Sequence, residues 1–250
     1  MRISKSGHEI RSLDDWLRYA PPKRGELQWK DERSAKELAK AWVGVGTPAP
    51  PRELVALLAN TFGTRITFDE AKPECVVALD GFAGEHRNCD LVVLCNVGGR
   101  RIVINVEAKA DEPFGDFIGE YYDRTDGCTS NVPARIRQLS RALFGREPDD
   151  AIRALRYQLL HAAAATLITA TESGADAGLF LVHEFRSPRL NSDRLAQNRA
   201  DWQSFVHAFP ELATARIEEG QILAPVSVPG GGRVPDSLPL YLGKLVTCLA

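Results

Sequence analysis

The chain contains no apolar run long enough to cross a membrane, no internal repeat and no low-complexity tract. Met1 to Ile10 is too polar for a signal peptide, so a reducing cytoplasm is the expected location. No CxxC pair is present. The five cysteines, Cys75, Cys89, Cys95, Cys128 and Cys248, are odd in number, and three sit in apolar, strand-like stretches. They read as buried reduced thiols rather than as disulfides or a zinc site. The histidines, His8, His86, His161, His183 and His207, show neither HxH nor HExxH spacing, so none is assigned to a metal. Nor is there an excess of either charge. The formal net charge of -2 excludes a basic glove for nucleic acid. Contact with a polyanion must come from a local patch or a bound cation. Gly230-Gly231-Gly232 lacks the strand and helix that frame a phosphate loop, and reads as a flexible turn.

What is present suffices for one large core. The 250 residues are 44% hydrophobic and 26% charged, as in ordinary globular proteins. Helices are expected at Ser12–Tyr19, from a cap at Ser34 to about Val43, and from Pro51 through Asn60. Strands follow at Cys75–Leu79, Asp90–Asn96 and Arg101–Lys109. Helices return at Asp116–Asp123, Ala134–Phe144 and Asp149–Thr171. A strand at Gly178–Phe185, a helix at Asp193–Phe209 and strands at Gln221–Val228 and Leu240–Leu249 complete the order. This order predicts an α/β fold, a mixed sheet flanked by helices. No linker demands a second domain. The expected parts are a helical region 1–72, a core 73–185 and a C-terminal helix with strands over 186–250.

Gly98-Gly99 between two β-rich runs predicts a hairpin. On the second strand Glu107 and Lys109 share a face with Val103 and Asn105. Ile102, Ile104, Val106 and Ala108 form the opposite, wholly apolar face. A two-residue loop puts Val97 opposite Arg100, and counting back puts Asp90 opposite Glu107. A four-residue loop gives the same register, whereas a one-residue slip would separate the carboxylates onto opposite faces. Paired in this way their Cβ atoms lie roughly 5 Å apart, a like-charge arrangement that costs stability. A raised pKa, a nearby cation such as the diagonal Lys109, or a bound metal would offset that cost. Two carboxylates at one strand end suit Mg²⁺, which keeps several of its waters. The competing reading is a solvated polar strand end.

Asp90, sixteen intervening residues, then Glu107-Ala108-Lys109 at a strand end resembles the signature of the PD-(D/E)XK nuclease superfamily. Cys89 stands where the motif name has proline. The element order over roughly Ser34 to Phe185 is also similar to that superfamily's αβββαβ core. The resemblance implies a restriction-endonuclease-like fold with extra N-terminal helices and C-terminal strands. It also implies a nuclease dependent on Mg²⁺ or Mn²⁺, acting on DNA ahead of RNA. Asp90 and Glu107 would hold the metal, with the Ala108 carbonyl as a further ligand, and Lys109 would orient the attacking water. Gln158, on a later helix, matches a glutamine that helps hold that water in many members, though it also reads as a helix-boundary residue. Glu37 matches an acidic residue on the first core helix. Ser34-Ala35-Lys36-Glu37 is equally a capping box that needs no catalytic role.

Seven arginines lie between Arg124 and Arg156. Arg137, Arg141 and Arg156 are candidates for phosphate contacts, against the reading of a solvated face. Tyr121 and Tyr122 can stack on bases or simply pack. No membrane partner is expected, and a homodimer is allowed. Two rival functions keep the same fold or the same site. One is an inactive nuclease-fold module that binds nucleic acid or protein. The other is a hydrolase of a different phosphoester.

Overall fold

A computed structural model describes residues 1–44, 46–82 and 86–249. Strands β1 (Arg2–Lys5), β2 (His8–Glu9), β3 (Ile66–Val77), β4 (Arg87–Val97), β5 (Arg100–Lys109), β6 (Ala177–Arg186), β7 (Gln221–Ile222) and β8 (Leu240–Cys248) form one sheet among the described residues. Its order is β2-β1-β3-β4-β5-β6-β8-β7. The sheet is mixed: β3, β4 and β5 form an antiparallel meander, and β5, β6 and β8 run parallel.

Helices cover both faces. On one side lie α1 (Leu13–Tyr19), α2 (Ser34–Val43) and α3 (Arg52–Phe62), which bury Trp16, Leu38, Trp42, Leu54 and Leu58 against Leu91, Val93, Ile102, Ile104 and Val106. The other side carries α4 (Ile118–Thr125), α5 (Val132–Phe144), α6 (Asp150–Arg153), α7 (Tyr157–Glu172) and α8 (Ser192–His207). Their core gathers Ile136, Leu139, Leu159, Trp202 and Phe205 over Val92, Val103 and Phe180. The apolar face expected for β5 is therefore core, and its other face is covered as well.

Helix α7 lies between the sheet and an outer layer that includes α5 and α8, so it is buried nearly all round. Its alanine run permits close approach. A Cβ added at Gly178 of β6 would stand 2.9 Å from Thr166 Cγ2 of α7.

The hairpin adopts the expected register, Val97 opposite Arg100 through to Leu91 opposite Val106. Both turn glycines have positive φ, +61° and +87°, as a two-residue type I′ turn requires. A Cβ at Gly98 would meet the Phe62 carbonyl at 2.8 Å.

Several expectations need correction. The helix expected over Asp149–Thr171 is two helices. Arg156 forms an antiparallel bridge with Phe117, and the Tyr157 N–H donates to the Asp116 carbonyl at 3.0 Å, so the backbone leaves helical geometry there. The region 1–72 is not purely helical, because it contributes β1, β2 and the start of β3. Strand β3 begins well before Cys75, and a register shift between Phe68 and Glu70 hides its alternation. The strand expected over Gln221–Val228 reduces to β7, because Pro225 has no N–H to donate; pairing resumes only as an isolated bridge at Val226.

Candidate functional site

Strand β5 ends at Glu107 and Lys109, while β4 enters the same end of the sheet with Arg87, Asn88 and Asp90. Asp90 falls outside the regular ladders to both neighbouring strands. Its carboxylate Oδ2 instead accepts the Ala108 N–H at 2.8 Å. Because α7 runs back along the sheet between the parallel strands β5 and β6, its first turn lies at this end too. It brings Gln158 within hydrogen-bond reach of Glu107.

Glu107 is the hub and is fully buried. Its Oε1 accepts from Lys109 Nζ at 2.7 Å and from Gln158 Nε2, and its Oε2 is held by the Arg87 guanidinium. Lys109, only 6% exposed, also lies over the Phe114 ring at 5.3 Å. Burial pushes the Glu107 carboxyl up, but the two cations and their hydrogen bonds hold it below its ordinary value. Asp90 is compensated only in part, by the Lys109 and Arg87 charges and the Ala108 N–H. Burial first, then the Glu107 charge, raises its carboxyl to about 6.

Two groups at the site are not evident from the sequence pattern. Glu74 of β3 faces Asp90 and is bonded by the Asn88 side-chain amide. Burial and the Asp90 charge push its carboxyl up to about 8. Its backbone sits at φ +50°, a left-handed conformation unusual for glutamate. Arg87 is the other, with a side chain only 8% exposed. A signal for both existed in the extension of β3 and β4 beyond their apolar runs, but the polar residues at those ends obscure it.

These groups line a cleft of about 750 Å³ that takes in Glu74, Arg87, Asp90, Glu107, Lys109 and Gln158. Buried polar atoms without hydrogen-bond partners surround it: Arg87 Nε, Asn88 Oδ1 and His161 Nδ1. Burial and the neighbouring Arg87, Arg135 and Lys109 charges hold His161 well below its ordinary value, so it is neutral. Among the described residues no three His, Cys, Asp or Glu side chains form a cluster that holds a metal by itself.

Other expected site residues lie elsewhere. Glu37 does not line the cleft. It is buried, and its Oε1 accepts the Glu32 N–H at 2.8 Å and Lys40 Nζ at 2.8 Å. The capping box does not form, because Ser34 is already helical and its N–H and hydroxyl both face Glu112 Oε1 at 3.3 Å. Arg156 is tied inside the fold, bonding Asp201 at 2.7 Å and the Gly115 carbonyl at 2.8 Å, with its guanidinium 3.7 Å from the Phe117 ring centroid. Arg137 and Arg141 line a separate groove of about 480 Å³ with Gly230, Gly231 and Gly232. There Arg137 is bonded to the Tyr122 hydroxyl and Arg141 to Glu147.

The structure thus defines a mixed α/β protein with a buried, cation-clamped carboxylate at one end of its sheet. A family model described as "Domain of unknown function (DUF6946)" matches residues 9–247, and the chain belongs to that family. No curated protein and no solved structure matches it. Among the described residues no helix is long and apolar enough to cross a membrane.

Proposed function

We propose that the protein is a divalent-metal-dependent nuclease with a restriction-endonuclease-like core, acting on DNA ahead of RNA. The observation that carries this reading is the meeting of Asp90, Glu107, Lys109 and Gln158 in one cleft, with Lys109 and Gln158 both bonded to Glu107 Oε1. The element order α2–α3, β3, β4, β5, α7, β6 supports it.

A cation fits this donor set. Glu107 is fully buried, and the half-buried Asp90 beside it has a raised pKa that a cation would relieve. Asn88 Oδ1 is a buried acceptor without a partner beside them. Asp90, Glu107 and the Ala108 carbonyl would hold Mg²⁺ or Mn²⁺, a hard ion content with one or two carboxylates and water. When bound, the ion supplies a water of lowered pKa and neutralises charge on the phosphate.

The chain's own groups do the rest. Lys109, fixed by Glu107 and Phe114, presents a cation to the scissile phosphate and orients the attacking water. Gln158 holds that water from the helix side. Arg87 fixes Glu107 in one orientation and adds positive charge where the transition state gains negative charge.

Cleavage of mixed DNA and RNA substrates with Mg²⁺ or Mn²⁺ tests the reading. Wild type should cut, and Glu107→Gln and Lys109→Ala should each lose about 100-fold or more in rate. Unchanged activity in both variants sinks the mechanism. One observation favours a second reading, an inactive binding module: Arg87 and Lys109 together neutralise Glu107 without any ion. No cleavage of any substrate, with no metal-dependent rise in Tm, would select it.

A further inference from the structure

A second cavity of about 420 Å³ opens beside the carboxylate cleft. The two share His86, Arg87, Tyr121, Tyr157 and His161, so they adjoin along a common wall. Their chemistry differs sharply. The main cleft carries Glu74, Asp90, Glu107, Glu112 and Asp116. No acidic side chain lines the side cavity among the described residues; Arg87, Arg135, His86 and His161 do, with Ser130 and the two tyrosines.

Arg135 is held by the buried Asp80 carboxylate, with an Nη2–Oδ1 distance of 3.2 Å, so its position is fixed. Arg87 is fixed by Glu107, yet its buried Nε has no partner. Nδ1 of the neutral His161 is likewise buried and unpartnered. These are groups prepared for a polar ligand, since a buried polar atom left unmade costs stability.

The aromatic wall is equally ordered. Tyr121 and Tyr157 lie with ring centroids 5.1 Å apart, tilted by 54°. Tyr157 is braced edge-on by His161 at 4.7 Å, and the Arg124 guanidinium lies 5.0 Å from the Tyr121 ring. A half-exposed tyrosine beside two fixed guanidiniums suits a flat π-face attached to a phosphate. The cavity falls within the roughly 300–1,000 Å³ of small-ligand sites, room for a single flipped or unpaired nucleotide but not for a base pair in a duplex.

Building on the nuclease reading, we propose that this side cavity is a subsite for one unpaired nucleotide adjacent to the scissile phosphate. Its phosphate meets Arg87 and His86, and its base stacks on Tyr121. The enzyme then acts on single-stranded or frayed nucleic acid in preference to a continuous duplex. Arg87 links the two compartments, because the guanidinium that would meet this phosphate also clamps Glu107.

The test is equilibrium binding of a fluorescent single-stranded oligonucleotide to the full chain in EDTA, read by anisotropy. Wild type, Tyr121→Ala, Tyr121→Phe and His86→Ala are compared, with a blunt duplex of the same sequence as competitor. Tyr121→Ala should weaken binding about tenfold, in line with the loss of one base–aromatic stack. Tyr121→Phe should restore it, His86→Ala should weaken it about threefold, and the duplex should compete poorly. Equal affinity across the variants, tighter binding of the duplex, or no oligonucleotide binding at all overturns the subsite. Metal-dependent cleavage by wild type judges the nuclease reading separately. Cleavage with no effect of Tyr121→Ala on single-strand affinity sinks the subsite alone, whereas Tyr121-dependent binding without cleavage sinks the nuclease alone.

Discussion

Glu74 keeps its proton to about pH 8 in the folded protein, where an ordinary glutamate releases it near 4.5. The folded state therefore binds more protons than the unfolded chain across that window, and stability must fall as pH rises through it. Asp90 adds to the same trend up to about 6. Glu107, held low by Lys109 and Arg87, acts in the opposite sense, and its contribution is lost only in acid. Thermal melts should show Tm falling from about pH 5 to about pH 8, and Glu74→Gln should flatten that slope and raise Tm at the alkaline end. A slope unchanged in the variant would remove Glu74 as its cause. Arg87 permits a second measurement. Arg87→Met leaves Glu107 buried with Lys109 as its remaining cation, and urea denaturation should show a loss of about 3 kcal/mol. At this scale the sequence was legible where spacing alone sets geometry. Alternation and one tight turn bring Asp90, Glu107 and Lys109 together. Glu74 was not legible, because its approach depends on a left-handed residue in β3 that no local pattern announces. Glu37 was misleading, because its place on the first core helix does not reveal that a loop N–H will occupy its carboxylate.

Elements were legible in proportion to how local their causes are. Strands β4 and β5 follow from their β-rich runs and Gly98-Gly99, and their register follows from the turn. The split between α6 and α7 was hidden, because its cause is pairing of Arg156 with the distant Phe117. The same is true of β1, which is short and joins the main sheet by pairing with the distant β3. The packing of α7 on β6 gives a direct check. Gly178→Ala places a methyl group 2.9 Å from Thr166 Cγ2, next to the helix backbone, and should cost about 1–3 kcal/mol in a denaturation experiment. A neutral result would mean that α7 can withdraw from the sheet. It would then carry Gln158 away from Glu107, and the site should loosen with it.

At the scale of the molecule, one sheet serves two cores. Trp16 and Trp42 report on one face and Trp202 on the other. Because β4, β5 and β6 contribute side chains to both, neither core can be dismantled without exposing the back of the other. Variants retaining only Trp42 or only Trp202 should therefore unfold with coincident fluorescence midpoints, and separated midpoints would mean independent layers. The parallel pairing of β5 with β6 has a kinetic consequence. The β4–β5 hairpin closes between neighbours in the chain, so Asp90 and Glu107 can meet early. Glu107 gains its other strand neighbour, Val182, only after the whole α4–α7 crossover has been laid down. Such distant pairings slow the search for the native state. During refolding the carboxylate pair should exist before Gln158 and the second strand arrive to confine it, so the slowest step of assembly is also the one that completes the cleft.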